Sequence, residues 1–177
     1  MLLMGSAVLM ACGGEKQNNP AEEDAGTQMA EKVSIFSSKD NQKEWLLEAD
    51  SVDFSGMEKA TLKKPHLLLN ENGEKSAEVS GDMGVFDYTQ KLVSISGNAQ
   101  VVSFTEKLTI TAAAFFYQID TGRIWSDSRT TIVRGTAKSV ARGGIVTDSH
   151  LKKIELKKQS TRVPKNTKEL ERSKKIL

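Results

Sequence analysis

The chain has 177 residues, with 25 Lys and Arg against 23 Asp and Glu, 38% apolar residues and one cysteine. That is the composition of a soluble globular domain, and it excludes wholesale disorder, a collagen-like fibre, an internal disulfide framework and a cysteine-built zinc site. No apolar run approaches the ~20 residues that span a bilayer as a helix, and a net charge of +2 is too small for a dedicated nucleic-acid binder.

Met1 to Ala11 (MLLMGSAVLMA) is apolar apart from small residues and stops at Cys12. Eleven residues are too few to cross a membrane but suit the apolar region of a signal peptide. Leu9-Met10-Ala11-Cys12 is similar to a bacterial lipobox, with an aliphatic residue three places before the cysteine and a small one just before it. The expectation is a signal peptide over 1–11, cleavage before Cys12, acylation of its sulfur and a membrane-held lipoprotein. One acyl chain holds marginally and two or more hold stably. The polar stretch that follows lacks aromatics, and 12–31 is read as a flexible tether reaching roughly 25 Å.

From Val33 to Val163 the dominant period is two, as in Val33-Ser-Ile35, Trp45-Leu-Leu47-Glu-Ala49, Leu67-Leu-Leu69, Phe86-Asp-Tyr88, Leu92-Val-Ser-Ile95, Leu108-Thr-Ile110 and Phe115-Phe-Tyr117-Gln-Ile119. Turn signals separate these runs: Asn72-Gly73, Gly81-Asp82, Gly97-Asn98, Thr121-Gly122 and Gly143-Gly144. Asn72-Gly73 predicts a tight hairpin, because both central residues of a type I′ turn need positive φ. Many short strands at such spacing predict an all-β sandwich, barrel or jelly roll. An offset of about 31 residues relates Phe86–Val102 to Tyr117–Val133, and Gly143–Ile154 reads as a partial third copy. Stacked hairpins of this kind share one core and leave the terminal strands as edges. The folded domain is placed at 32–163 and a basic tail at 164–177.

From His150 onward there are ten basic and three acidic residues. This segment carries +7 of the net +2, leaving −5 for the rest. It suits either a solvated tail or attraction to an anionic membrane surface.

Chemistry for catalysis is sparse. There are two histidines, His66 and His150, and no Gly-x-Ser-x-Gly elbow. Gly135-Thr-Ala-Lys138-Ser139 lacks the glycine a phosphate-binding loop needs before its lysine. The aspartates fall mostly at turns, where Asp caps its own backbone. No catalytic residue, metal site or cofactor is assigned, and a lipoprotein hydrolase is a remote reading. Trp45, Phe54, Phe86, Tyr88, Phe104, Phe115, Phe116, Tyr117 and Trp125, with Val79, Val101, Ile110, Ile119 and Ile132, are read as one apolar face. That face is either a filled core or the lining of an open groove able to hold acyl chains.

The chain resembles the LptC family of the lipopolysaccharide-export machinery and, more broadly, the OstA-like β-jelly-roll proteins. The resemblance rests on Trp45-Leu-Leu-Glu-Ala49, Ser80-Gly-Asp-Met-Gly-Val-Phe-Asp-Tyr88, Val93-Ser-Ile-Ser-Gly-Asn-Ala-Gln-Val101, Leu108-Thr-Ile-Thr111, Ile124-Trp-Ser-Asp127 and Ala141-Arg-Gly-Gly-Ile145. It covers about Glu44 to Leu156.

It implies an OstA/LptA-like β-jelly roll of two facing antiparallel sheets with open edge strands. It also implies a periplasmic, inner-membrane-anchored lipoprotein that takes lipopolysaccharide from the permeases of an ABC transporter and passes it to an LptA-like protein. Carried onto these residues, Phe86, Tyr88, Val101, Ile110, Tyr117, Ile119 and Ile132, chosen by parity, line the lipid groove. Trp45, Leu47 and Ala49 form the docking edge toward the transporter; Gly143, Gly144 and Ile145 belong to the edge toward the LptA-like partner. Gly144→Arg is expected to block that partner while sparing the fold. A structural or adhesive β-sandwich lipoprotein of the cell envelope is the alternative.

Overall fold

The computed structural model describes residues 28–39, 42–54 and 56–162. The expected signal peptide, Cys12, nearly all of the tether and the basic tail lie outside the described residues. Two long strands, β1 (Met29–Lys39) and β2 (Gln42–Asp53), come first; β1 starts three residues inside the expected tether. Short strands follow: β3 (Lys59–Lys63), β4 (His66–Glu71), β5 (Glu74–Ser80), β6 (Met83–Asp87), β7 (Leu92–Ser96), β8 (Gln100–Ser103) and β9 (Leu108–Thr111). The series continues through β10 (Ala114–Gln118), β11 (Arg123–Ser126), β12 (Thr130–Arg134), β13 (Ala137–Ala141), β14 (Ile145–Asp148), β15 (Ile154–Leu156) and β16 (Gln159–Arg162). There is no helix among the described residues.

All pairings are antiparallel, and the sheet divides at β2 into two wings. Asp53, Val52 and Ser51 of β2 pair with β3, which leads through β6, β7, β10, β11 and β14 to β15; this is the first wing. Trp45 to Glu48 pair with β4, which leads through β5, β8, β9, β12 and β13 to β16; this is the second wing. The buried side of β2 switches parity between Ala49 and Val52. Opposite that switch Lys32 of β1 has φ 51°, so both strands bend where they pass from one wing to the other.

After β3 the chain lays down hairpins in alternate wings. Each strand pair runs out to a tight turn and returns, and the chain then crosses at a corner into the other wing. The turns therefore line one margin of the molecule, here called the mouth, and the corners line the opposite margin, the seam. Asn72 (φ 53°) and Gly73 (φ 82°) form one of the mouth turns, with the doubly positive φ that the sequence predicts. The 31-residue period is visible in the strands themselves: β6, β10 and β14 begin at 83, 114 and 145. One repeat is two hairpins, one per wing. Neither can bury its inner face alone, so neighbouring repeats stack over a common interior.

Candidate functional site

The inner face of each wing carries a continuous ladder of cross-strand neighbours. In the second wing it runs Leu47, Leu67, Val79, Val101, Ile110, Ile132, from β2 to β12. In the first wing it runs Ala60, Phe86, Val93, Tyr117, Ile124, Thr147, Ile154. A one-residue shift in any register would turn a whole rung to solvent, which is why alternation fixes the pairing. The two ladders belong to one buried cluster, so the wings pack face to face.

Five of the seven residues chosen by parity stand on these ladders: Val101, Ile110 and Ile132 in the second wing, Phe86 and Tyr117 in the first. Tyr88 and Ile119 lie one step beyond the ends of β6 and β10, at the mouth. Tyr88 is exposed and sets its ring edge-on to Phe86 at 4.8 Å, while Ile119 is half-buried against the core.

The interior is filled in this state. Val101 and Ile110 are wholly buried, as are Leu67 and Ile124, each contributing roughly 1.5–3 kcal/mol by leaving water. The Tyr117 hydroxyl is pushed up to about 12 by burial and by the nearby Glu44 charge. Two open pockets lie elsewhere, with mixed polar and apolar linings. One of about 250 Å³ lies at the bend of β2 among Lys32, Glu48, Asp50, Lys64 and His66. Another of about 540 Å³ lies along the seam, lined by Asn98, Thr111, Arg129 and Thr131 among others.

The expected single apolar face needs correction. Phe116 and Trp125 have the opposite parity to Phe115 and Tyr117 and stack on the outside of the first wing, 5.3 Å apart, with the Arg123 guanidinium 5.3 Å from the indole. Phe104 is exposed just past β8. Consecutive aromatics in a strand cannot share a face.

The docking edges need a larger correction. Trp45, Leu47 and Ala49 are core residues on β2, a strand paired on both sides; among the described residues the uncovered edge at this end is that of β1. Val33 and Ile35 of β1 pack against the core, whereas Phe36 faces outward under the Lys43 ammonium at 5.0 Å. At the other end Ile145 is buried on β14, between β11 and β15. Gly143 and Gly144 form the corner before it. Gly144 has φ 91°, and a Cβ there would lie 1.8 Å from the Ser126 carbonyl oxygen. Gly144→Arg would therefore break the corner itself, contrary to the expectation that the fold would survive. Among the described residues, the uncovered edges here are those of β15 and β16, each paired with a single neighbour.

At the mouth the turns are tied by charges. Within the first wing Lys91 pairs with Asp120 at 3.0 Å, and Asp87 accepts from the Gln90 N–H at 2.7 Å and pairs with Lys59 at 3.2 Å. The Gln90 N–H first, and then Lys59, hold the Asp87 carboxyl below its usual range. Within the second wing Arg134 pairs with Glu106 at 3.2 Å. Glu71, at the end of β4, instead reaches the other wing, where Lys152 is 2.5 Å from Oε1 and His150 Nδ1 is 3.6 Å from Oε2. The Lys152 hydrogen bond lowers the Glu71 pKa, and Glu71 in turn raises that of Lys152. Sequence reasoning missed this cluster because its members are 81 positions apart.

Residues 2–163 match the sequence profile of the family described as "Lipopolysaccharide-assembly, LptC-related". The chain belongs to that family. Membership ties this LptC-related chain to lipopolysaccharide transport. Its fold is similar to a solved structure of LptH from Pseudomonas aeruginosa, described as the LptA-homologous periplasmic component of the lipopolysaccharide transport device. The TM-score is 0.51 at 12% identity, covering 68% of this chain and 94% of that one, which establishes a shared OstA-like jelly-roll fold. Among curated proteins none matches the sequence.

Proposed function

We propose that the LptC-related chain is a periplasmic, lipid-anchored bridge in lipopolysaccharide export. Cys12 carries the anchor, at the inner membrane, and the tether keeps the β domain close to the bilayer. The domain receives lipopolysaccharide from the permeases of an ABC transporter, whose ATPase supplies the energy, and hands it to an LptA-like protein. No covalent chemistry is assigned to the chain, and the basic tail adds attraction to anionic lipid.

The observation that carries the reading is the pair of apolar ladders facing each other between wings joined along the seam. Acyl chains lie between the ladders while the sugar stays in water outside the mouth. Because the free interior is packed, the wings part to admit lipid, exchanging apolar contacts between side chains for apolar contacts with acyl chains at little net cost. Partners join by β-augmentation at β1 on one end and at β15 and β16 on the other, strands that pair with a single neighbour among the described residues.

The packed interior also favours a second reading, a structural or adhesive envelope β-sandwich that carries no lipid. Photo-crosslinkers at Val101, Ile110 and Tyr117 decide between them. The bridge requires capture of lipopolysaccharide from these sites and little from outward-facing Val102 and Phe116. Equal or absent capture at all five favours the structural protein.

A further inference from the structure

The loop between β14 and β15 sits at the mouth of the first wing and, like the turns at Lys91 and Lys107, includes a left-handed residue, but here that residue is a buried leucine instead of an exposed lysine. Asp148 Oδ1 accepts from the N–H of His150 at 2.9 Å and of Lys152 at 3.3 Å, and the Leu151 N–H donates to the Asp148 carbonyl at 3.1 Å. This curl places Leu151 at φ 55°. A left-handed conformation costs a bulky side chain roughly 1–2 kcal/mol and persists only where the surroundings impose it. Here the return is burial: Leu151 is 1% exposed and belongs to the same cluster as the two ladders.

The residues on either side of Leu151 hold the loop to the opposite wing. His150 and Lys152 both face Glu71, which ends β4 beside the Asn72-Gly73 turn. Nδ1 of His150 is buried without a hydrogen-bond partner among the described residues, and the Glu71 carboxylate stands 3.6 Å from it. Asp148 and Glu106 add negative charge near Lys152, which strengthens its hold on this margin. The loop thus joins an apolar plug to an ionic clasp across the margin where each wing turns back on itself.

We propose that this loop is a releasable plug, in which Leu151 occupies the end of the lipid path and Glu71 latches it shut across the mouth. The inference rests on the lipid-path reading above and adds its gate. Opening breaks a partly exposed ionic contact and withdraws one leucine, while the seam, where the chain itself crosses between the wings, stays closed. An acyl chain entering between the wings replaces Leu151 with an equivalent apolar contact, so lipid itself holds the gate open.

The test uses the full chain and compares it with Glu71→Gln, Leu151→Ala and the control Asp120→Asn, which breaks a clasp within one wing. Hydrogen exchange at the amides of 149–153 and the rate of capture of fluorophore-labelled lipopolysaccharide are measured for each. Loss of this partly exposed ion pair predicts exchange faster by up to about fivefold in Glu71→Gln, with faster capture in both Glu71→Gln and Leu151→Ala and neither change in Asp120→Asn. Unchanged exchange in Glu71→Gln overturns the latch. Capture at wild-type rate in both variants overturns the gate. If no protein, wild type included, captures lipopolysaccharide while Glu71→Gln still loosens the loop, the lipid-path reading is what fails, and the gate goes with it.

Discussion

The seam and the mouth are made of the same strands, but at the seam the chain crosses from wing to wing while at the mouth it turns back within one wing. At the seam, backbone bonds backbone: the Asp82 N–H donates to the carbonyls of Ser96 and Gly97, Gly143 N–H to Lys157, and Lys157 N–H to Gly144. Close approaches such as Gly144 against Ser126 leave no room for a side chain. At the mouth, backbone bonds join turns within each wing, Phe104 N–H to the Ser76 carbonyl and Ile119 N–H to that of Lys91, whereas Glu71 and Lys152 reach from wing to wing through a partly exposed ion pair, and exposed pairs contribute about 0–1 kcal/mol each. With the chain crossing at one margin and turning back at the other, the molecule has the form of a hinge facing the proposed gate.

The largest expected effect contrasts two glycines. Gly144→Ala at the seam should cost more than about 4 kcal/mol or prevent folding, because both the carbonyl clash and the positive φ oppose it. Gly135→Ala at a mouth turn, with nothing within 4 Å of the new Cβ, should cost about 1 kcal/mol from its positive φ alone. Thermal melting of the two variants checks this, and equal losses would erase the distinction between the margins. Next in size, Ile110→Ala should cost about 2–5 kcal/mol by opening a cavity on the inner ladder. Outward-facing Thr109→Ala should stay within about 0.5 kcal/mol, read by denaturant unfolding.

Alkali probes how dry the interior is near the mouth. With Tyr117 raised from 10.0 to about 12, its neutral form stabilises the fold fully below pH 10, and that contribution is lost as pH rises toward 12. The difference between wild type and Tyr117→Phe over this range should reach about 2–3 kcal/mol. A wet, open interior would leave the difference near zero. The smallest effect comes on the acid side. Glu71 and Asp87 are both lowered, from 4.5 and 3.8, so their contributions are present above those values and lost as pH falls through the folded ones. Hydrogen exchange below pH 4 should therefore quicken at the mouth turns before the seam corners.

Much of this architecture was legible in the chain. Alternation exposed the strands, the 31-residue offset exposed the stacked repeats, and parity put Phe86, Val101, Ile110, Tyr117 and Ile132 on inner ladders, because side-chain direction in a strand depends only on odd or even position. What parity cannot supply is which margin a turn belongs to. Gly97-Asn98 and Asn72-Gly73 look alike and both adopt positive φ, yet one crosses the seam and the other closes a hairpin at the mouth. The docking edges were misplaced for a related reason. The resemblance begins at about Glu44 and so starts its first strand at Trp45 to Ala49, while β1 precedes it and alternates with serine and lysine, as an edge strand does. The Glu71 clasp and Leu151 were out of reach, since only the crossing of the wings brings them together.

The most direct test of the account is a distance across the mouth. Spin labels at Asn72 and Ser149, in a Cys12→Ser background, report the gap between the wings, and a second pair at Asp82 and Asn98 reports the seam. With lipopolysaccharide added, the account predicts a longer and broader distance at the mouth and an unchanged one at the seam. A mouth distance that stays fixed while lipopolysaccharide is bound would contradict it.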